Sequence, residues 1–192
     1  MRIIFIGPPG AGKGTQSVKL AEHLKIPHLS TGEILRSAKK AQTEIGKLVA
    51  PVMDAGGLVS DDLIFGVVKE RLEQQNSTTG YPLDGFPRTI RQASDLNDYL
   101  AKNDQSLDHV IELRVADEIV QNRLVDRFQS LENPREDDRP EAIPRRLRVY
   151  HSQTQPILKF YSSEDFPNLL KVVDGVGTMD EVFQRILSQI AN

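Results

Sequence analysis

Apolar positions recur along this chain with two different periods. Short runs rich in β-branched residues are typical of buried strands, and the longer segments between them carry apolar residues every three or four positions, as amphipathic helices do. One such segment places Ile64, Val68 and Leu72 on one helical face behind the acidic pair Asp61 and Asp62. Strands that alternate with helices of this length predict a parallel β-sheet covered by helices on both faces. The five predicted strands are residues 2–6, 27–30, 79–83, 108–115 and 169–173.

Two segments depart from a minimal alternation of strands and helices. Residues 32–75 contain three helix-like pieces without an intervening strand, which predicts a small helical insert. Residues 129–138 are polar and contain a proline, and they predict a loop between two helices. Ligands of parallel sheets bind at the carboxyl ends of the strands, so both segments are candidate covers over such a site.

Three prolines interrupt the predicted elements. Pro82 falls in a strand expected to be central, where its missing N–H removes a ladder hydrogen bond, so it is expected at the start of the strand or at a bulge. Pro144 predicts that a helix begins or bends just before Arg146, and Pro156 predicts a kink in the helix that starts further upstream.

The composition narrows the functional classes. The 192 residues suit one domain, and 24 basic against 27 acidic residues give a formal net charge of −3. A slightly acidic chain is a poor candidate for a non-specific nucleic-acid or membrane-surface protein. The absence of cysteine excludes disulfides, thiol catalysis and Cys-ligated zinc, and the four histidines show no ligand-like grouping. We therefore expect a cytoplasmic protein without a signal peptide or membrane span.

A glycine-rich loop follows the first predicted strand and reads GPPGAGKGT from residue 7 to residue 15. Glycines allow a tight loop whose N–H groups point inward, the following helix adds its positive end, and Lys13 supplies a mobile cation. The spacing is typical of a phosphate-binding loop, and a plain glycine-rich turn is the structural alternative. Gly14 separates Lys13 from Thr15, whereas the general pattern has Ser or Thr directly after the lysine. The loop sequence therefore does not decide whether a hydroxyl group binds magnesium directly.

Asp84 ends the third predicted strand, directly before Gly85. A carboxylate at the end of a strand beside a phosphate loop can hold magnesium, directly or through water. The structural alternative is an aspartate that starts a turn before glycine. With the phosphate loop present, the magnesium interpretation is favoured.

Arginine replaces lysine in one stretch of the chain. Residues 103–158 contain eight arginines and no lysine. Arg123 and Arg127 lie four apart on a predicted helix at the border of its apolar stripe, where their repulsion is tolerable if an anion lies between them. Planar, permanently charged arginine suits bidentate phosphate contacts. A solvated face paired with nearby carboxylates is the alternative, and it is favoured for Arg139 and Arg148.

A second candidate anion site follows Asp84. Arg88 lies at the predicted start of a helix, where backbone N–H groups favour an anion. Thr89 and Gln92 have the spacing of a capping box, which explains Gln92 without any ligand. From spacing alone, the capping role of Gln92 is favoured.

Together these residues resemble the adenylate kinases along nearly the whole chain. Several separated motifs occur in the order of that family, and the intervening Gly14 is the family's own form of the phosphate loop. The matching pieces are GPPGAGKGTQ at 7–16, STGE at 30–33, LR at 35–36, DAGGLV at 54–59, DGFPRT at 84–89, the pair Arg123 and Arg127, REDD at 135–138 and VDG at 173–175.

The resemblance implies a fold and a division of the chain. The fold is an α/β P-loop type with a five-stranded parallel sheet of order 2-3-1-4-5, flanked by helices. One domain would span residues 1–192, with a core of 1–29, 60–127 and 139–192, a helical insert at 30–59 that binds the nucleoside monophosphate, and a lid at 128–138. The lid resembles the short form of the family, without extra strands or metal-binding cysteines.

The resemblance also implies roles for individual residues. ATP would contact Gly10, Ala11, Gly12, Lys13, Gly14, Thr15, Arg127 and, through its adenine, the backbone of Gly177. AMP would contact Thr31, Arg36, Gly57, Leu58, Val59, Gly85, Phe86, Pro87, Arg88, Gln92, Arg135 and Arg146. The catalytic cations would be Lys13, Arg88, Arg123, Arg127, Arg135 and Arg146, and Asp84 would hold Mg²⁺ through water.

The implied reaction is reversible transfer of the terminal phosphoryl group from Mg-ATP to AMP, which gives two ADP. The acceptor phosphate has a second pKa of about 6 and is largely a dianion at neutral pH, so no general base is needed. Alignment of the nucleotides and neutralisation of their charge would supply the catalysis. The implied partners are ATP, AMP and ADP, with no nucleic acid, membrane or structural zinc, and the family favours a monomer.

Two other functions compete with this one. A uridylate–cytidylate kinase has the same architecture, but Thr31, Thr89 and Gln92 favour AMP. A P-loop GTPase switch would carry D-x-x-G and N-K-x-D motifs. Residues 54–57 match D-x-x-G but precede the third strand within a helical stretch, and no Asn is followed by Lys. A kinase for AMP is therefore favoured.

Overall fold

The computed structural model describes residues 1–74, 80–130 and 134–191. Residue 79 of the third predicted strand and residues 131–133 of the predicted lid lie outside these ranges. The strands are β1 (Arg2–Ile6), β2 (Leu29–Ser30), β3 (Tyr81–Asp84), β4 (His109–Arg114) and β5 (Leu170–Asp174). The helices are α1 (Lys13–Leu24), α2 (Thr31–Lys40), α3 (Glu44–Asp54), α4 (Asp61–Gln74), α5 (Ile90–Lys102), α6 (Asp117–Ser130), α7 (Ile143–Val149), α8 (Pro156–Tyr161) and α9 (Met179–Ile190).

The strands form one parallel sheet of order β2-β3-β1-β4-β5, which confirms the implied fold. In the centre of the sheet, Ile4 of β1 lies between Leu83 of β3 and Val110 of β4. Because all strands run the same way, the loops that follow β1, β3 and β5 emerge at one edge. This edge carries the phosphate loop and Asp84.

Alternate residues of β1 enter two separate apolar layers, as expected for a sheet buried on both faces. Ile4 and Ile6 pack against α4, α5 and α8, whereas Ile3 and Phe5 pack against α1, α6 and α9. Burial of each such side chain stabilises the fold by about 1.5–3 kcal/mol. Within the described ranges, no helix is both long enough and apolar enough to cross a membrane.

Pro82 explains why β2 is shorter than predicted. The N–H of Tyr81 donates to Met1 O, so the nitrogen of the next residue faces β2. Pro82 offers no N–H there, and β2 begins only opposite Leu83. The proline therefore lies near the start of β3, at a level where β2 has not yet begun. The missing N–H of Pro82 thus costs no hydrogen bond between β2 and β3.

The other two prolines lie at helix starts. Pro144 occupies the first turn of α7, where a helix needs no N–H partner. Pro156 opens α8, and residues Tyr150–Thr154 before it form a π-helical turn in which the N–H of Gln155 donates to Tyr150 O at 2.8 Å. The predicted kink is thus a π turn. Helix α6 runs to Ser130, so the predicted loop begins later than residue 129.

Candidate active site

A cleft of about 770 Å³ opens at the carboxyl edge of the sheet. Its walls come from the phosphate loop, the segment after β3, the loop after β5, and helices α2, α6 and α7. Of the residues implied for the site, those that line it are Gly10, Ala11, Gly12, Lys13, Gly14, Thr15, Thr31, Arg36, Gly57, Leu58, Val59, Asp84, Gly85, Pro87, Arg88, Gln92, Arg123, Arg127, Arg135, Arg146 and Gly177. The side chain of Phe86 is instead buried in the core, stacked on Phe65.

The phosphate loop is packed tightly against α6. Gly10 has φ +85°, and a Cβ there would lie 2.9 Å from Val120 O, so glycine is required both by the backbone and by the space. Gly12 precedes the first turn of α1 and has no side chain with which to cap it. The N–H groups of that turn, together with the helix dipole, therefore face the cleft as a site for an anion.

Lys13 is folded back on its own loop. Its Nζ donates to Gly7 O at 2.7 Å and to Pro8 O at 2.8 Å. Burial lowers the pKa of Lys13 to about 8; Asp84 opposes this shift, and the charges of nearby arginines add to it. The ammonium group is therefore held in a region that already carries an excess of positive charge.

The cleft concentrates cations in a chain that is acidic overall. Among the described residues that line it, seven are lysine or arginine and three are aspartate or glutamate, whereas the whole chain has a net charge of −3. Burial lowers the pKa of Arg88, and the charge of Arg146 lowers it further. Burial also lowers the pKa of Arg135, with the charges of Arg36 and Arg127 adding to the effect. Such crowding favours a ligand with several negative charges.

Asp138 holds two of these arginines. Arg127 donates to both of its carboxylate oxygens at 2.6 Å, and Arg146 donates to Asp138 Oδ1 and, at 2.9 Å, to Asp137 O. Burial alone would raise the pKa of Asp138, but the hydrogen bonds and charges of Arg127 and Arg146 together hold that pKa below its ordinary value. The carboxylate therefore stays ionised, and it fixes the direction of both guanidinium groups.

The far end of the cleft is organised around Arg88. Its Nε donates to Gly85 O at 2.8 Å, and its own carbonyl accepts from Thr154 Oγ1 at 2.9 Å. Its backbone N–H donates to Gln92 Oε1 at 2.6 Å. Thr89 caps α5 by accepting from the N–H of Gln92, which confirms one half of the predicted capping box; the other half does not form, because the Gln92 side chain accepts from Arg88 and not from the N–H of Thr89. Gln92 thus supports the helix start and lines the cleft as well.

Comparisons with known proteins agree with this geometry. The family model described as "Adenylate kinase" matches residues 5–166. The chain is 47% identical to an adenylate kinase of Stenotrophomonas maltophilia (strain K279a), with 99% of each chain covered. It is 46% identical to an adenylate kinase of Agrobacterium fabrum (strain C58), with 97% of this chain and 95% of the relative covered. The chain belongs to the adenylate kinase family.

Magnesium is the metal that kinases of this kind use with ATP, and the surroundings of Asp84 fit it. The carboxylate oxygens of Asp84 are the type of ligand that Mg²⁺ prefers. A Cβ at Gly14 would lie 3.2 Å from Asp84 Oδ2, so the absence of a side chain there keeps space beside the carboxylate. Within residues 1–74, 80–130 and 134–191, no group of three or more His, Cys, Asp or Glu could hold a metal by itself.

Two residues of this adenylate kinase site were not predicted from the sequence. Asp138 looks like one of several solvated carboxylates, although its position among arginines was an available signal. Thr154 gave no signal, because its partner, the carbonyl of Arg88, lies 66 positions away in the sequence. The D-x-x-G match has a structural explanation, since Asp54 ends α3 and pairs with Lys39.

Proposed function

We propose that the cleft binds Mg-ATP at the phosphate loop and AMP beside Arg88, with the two phosphate groups facing each other. The adenylate kinase family transfers the terminal phosphoryl group of ATP reversibly to AMP, gives two ADP, and so maintains the adenine nucleotide balance. The observation that carries the proposal is the continuity of the cleft, which reaches from Gly177 past Lys13 to Gln92. One continuous site of this size can hold donor and acceptor together.

The donor end offers three kinds of group for a triphosphate. The N–H groups of residues 10–15 and the start of α1 would bind the phosphate oxygens. Lys13 would exchange the carbonyls of Gly7 and Pro8 for phosphate oxygens, which carry full negative charge and are better acceptors. Arg123 and Arg127 line the cleft from α6, and Gly177 would contact the adenine through its backbone.

The acceptor end offers a cationic part and an apolar part. The cations are Arg36, Arg88, Arg135 and Arg146, and they would bind the AMP phosphate. The base and ribose would lie against Thr31, Gly57, Leu58, Val59, Gly85, Pro87 and Gln92. Phe86 would act from the core, because its side chain packs beneath this segment and does not line the cleft.

No proton has to be removed by the protein. The phosphate monoester has a second pKa of about 6, so the attacking oxygen is already ionised at neutral pH. The protein aligns the two phosphates and neutralises the charge that crowds between them, with Lys13 and the arginines placed for this purpose. Mg²⁺, held near Asp84 directly or through water, would add positive charge to the phosphate oxygens when bound.

Two segments would cover the cleft and keep water from the terminal phosphate. They are the proposed insert, residues 30–59, and the proposed short lid, residues 128–138. The insert supplies Arg36 and the lid supplies Arg135, so each cover carries a cation that the phosphates of a bound nucleotide would neutralise. Closure would then depend on the nucleotide. A monomeric state and a cytoplasmic location stay predictions.

A coupled assay of ADP formation tests this function. ADP should form only when ATP and AMP are both present, and removal of Mg²⁺ by a chelator should abolish its formation. Among AMP, CMP, UMP and GMP, we expect AMP to have the highest kcat/KM. Hydrolysis of the nucleoside triphosphate without an acceptor, or a preference for UMP or CMP, would contradict the proposal.

A further inference from the structure

Gln92 is a buried amide with two strong partners. It lies in the first turn of α5 and is 2% exposed, yet it lines the cleft. Its Nε2 donates to Asp61 Oδ1 at 2.7 Å, and its Oε1 accepts from the backbone N–H of Arg88 at 2.6 Å. Asp61 is the first residue of α4 and does not line the cleft itself.

These two partners fix which way the amide points. An ionised carboxylate can only accept hydrogen bonds, and a backbone N–H can only donate one. If the amide of Gln92 turned over, its oxygen would face the Asp61 carboxylate and its NH₂ group would face the Arg88 N–H. Both hydrogen bonds would be lost, and like partners would face each other in a buried place. Asp61 is itself held, because its Oδ2 accepts from Thr89 Oγ1 at 3.2 Å.

The fixed amide keeps one donor and one acceptor for a ligand. An amide group has two N–H donors and two acceptor positions, and the protein uses one of each. Apolar side chains form part of the wall of the same cleft, which suits the flat face of a base; they are Leu35, Met53, Val59 and Ile64. Recognition of a base at this wall therefore depends on which side of the Gln92 amide donates a hydrogen bond and which side accepts one.

Purines with a 6-amino and a 6-oxo group present opposite patterns to such an amide. The 6-amino purine offers an N–H donor beside the acceptor N1, whereas the 6-oxo purine offers an acceptor beside the donor N1–H. An amide free to turn over could bind either one. An amide that cannot turn over binds one and leaves mismatched polar groups with the other.

We infer that Asp61 is a positioning residue that fixes the orientation of the Gln92 amide and thereby makes the acceptor pocket select a 6-amino purine over a 6-oxo purine. The inference rests on the proposed function, which places the acceptor base at Gln92. Asp61 acts through Gln92 and makes no contact with the base.

The test compares AMP with inosine monophosphate, which replaces the 6-amino group by oxygen and places a proton on N1. In Asp61→Asn, the new amide can accept or donate, so only the Arg88 N–H still opposes a turned Gln92 amide. We expect the ratio of kcat/KM for AMP to that for inosine monophosphate to fall by about 3- to 10-fold, which is part of the discrimination of one bidentate base contact. The change should appear as a higher KM for AMP and a lower KM for inosine monophosphate, while the KM for ATP stays constant.

Three variants separate positioning from a general structural effect. Asp62→Asn changes the next residue, which is exposed and pairs with Arg91, and it should leave the ratio unchanged. Asp61→Glu restores an acceptor-only carboxylate and should recover part of the discrimination. In a Gln92→Leu background, Asp61→Asn should have no further effect on the ratio. If Asp61→Asn is poorly folded by thermal denaturation, Asp61→Ser gives the same comparison with a smaller side chain.

The outcomes distinguish the inference from the proposed function. If the unmodified protein forms no ADP from ATP and AMP, the proposed function is wrong. If it does so, and Asp61→Asn and Asp61→Ser lower kcat/KM for both acceptors equally, Asp61 has a structural role alone and the inference is overturned. A fall in the ratio that the Gln92→Leu background abolishes supports it.

Discussion

The guanidinium group of Arg127 makes two hydrogen bonds of 2.6 Å to the carboxylate of Asp138, which is fully buried. A carboxylate and a phosphate both accept from arginine in this forked geometry. Asp138 therefore holds Arg127 in an orientation suited to phosphate while α6 and the turn Glu136–Asp138 come together. It also pairs with Arg146, so one carboxylate orients two arginines of the cleft.

Asp138→Asn should destabilise the fold. The variant leaves Arg127 without its carboxylate partner in this part of the structure, and it leaves Arg146 with Asp137 alone. Loss of one partner of a buried ion pair lowers the free energy of unfolding by on the order of 3 kcal/mol. Thermal or urea denaturation at pH 7 measures this loss.

The same pair should give the fold a dependence on acidic pH. The pKa of Asp138 is lower in the folded chain than its ordinary value, so the stability it contributes is complete above that ordinary value, about pH 4, and is lost as the pH falls towards the folded pKa. The difference in unfolding free energy between the unmodified chain and Asp138→Asn should therefore shrink below pH 4. Glu136→Gln is the control, because Glu136 pairs with Arg139 on the surface and should change stability by about 0–1 kcal/mol. A constant difference from pH 3 to pH 6 would contradict the role of Asp138.

ATP binding should take up a proton at alkaline pH. Burial and nearby arginines lower the pKa of Lys13 to about 8, so part of the free protein carries an uncharged lysine above that pH. The triphosphate favours the charged form, and ATP affinity should therefore weaken by up to about tenfold per pH unit above pH 8. Calorimetry at pH 8.5 in two buffers with different ionisation enthalpies measures the proton uptake.

Two variants check that Lys13 is the group that titrates. Lys13→Met should bind ATP more weakly and without the proton uptake. Lys19→Met changes a lysine of the same helix that pairs with Asp180, and it should keep the uptake. If Lys13→Met and the unmodified chain take up the same number of protons, another group is responsible.

Arg88→Ala should lower turnover by about 10²–10⁴-fold, the range for groups that stabilise charge in phosphoryl transfer. Its guanidinium is directed into the cleft by the hydrogen bond to Gly85 O, and lysine lacks that planar geometry. Arg88→Lys should therefore recover activity only in part. The measurement is kcat for ADP formation from ATP and AMP.

A nearby arginine provides the matched control for Arg88. Arg91 lies one turn further along the same segment, is exposed, and pairs with Asp62 on the surface. Arg91→Ala should keep nearly full turnover. Full activity in Arg88→Ala would remove Arg88 from the proposed acceptor site.

Local signals made much of the fold predictable. Thr89 caps α5 as its spacing to Gln92 indicates, because donor and acceptor of that hydrogen bond lie within one turn. The alternation of strands and helices likewise predicted a parallel sheet. The order of the strands came from the resemblance to adenylate kinases, since periodicity says which segments are strands but not which strands are neighbours.

Features that depend on distant contacts were not predictable in this way. Asp138 stands in a polar stretch that looks solvated, but it is buried, and its turn packs against α6 and α3. The contact between Asp61 and Gln92 joins residues 31 positions apart, and it exists because α4 packs against α5. Pro82 fits the central strand because β2 begins only opposite Leu83, and the sequence around the proline does not indicate where β2 begins. In each case the deciding partner is far away in the sequence.

Gly14→Ala should separate helix stability from magnesium binding. Gly14 lies in the first turn of α1, where alanine favours the helix by up to about 1 kcal/mol. Its Cβ would lie 3.2 Å from Asp84 Oδ2, so the carboxylate has to shift by a few tenths of an ångström. We expect an unchanged or higher melting temperature, together with an increase of about 10-fold in the Mg²⁺ concentration that half-saturates ADP formation.

Gly66→Ala in α4, where a Cβ would meet nothing within 4 Å, should raise the melting temperature and leave the Mg²⁺ dependence unchanged. Equal Mg²⁺ dependence in both variants would show that Asp84 is not close to the bound ion.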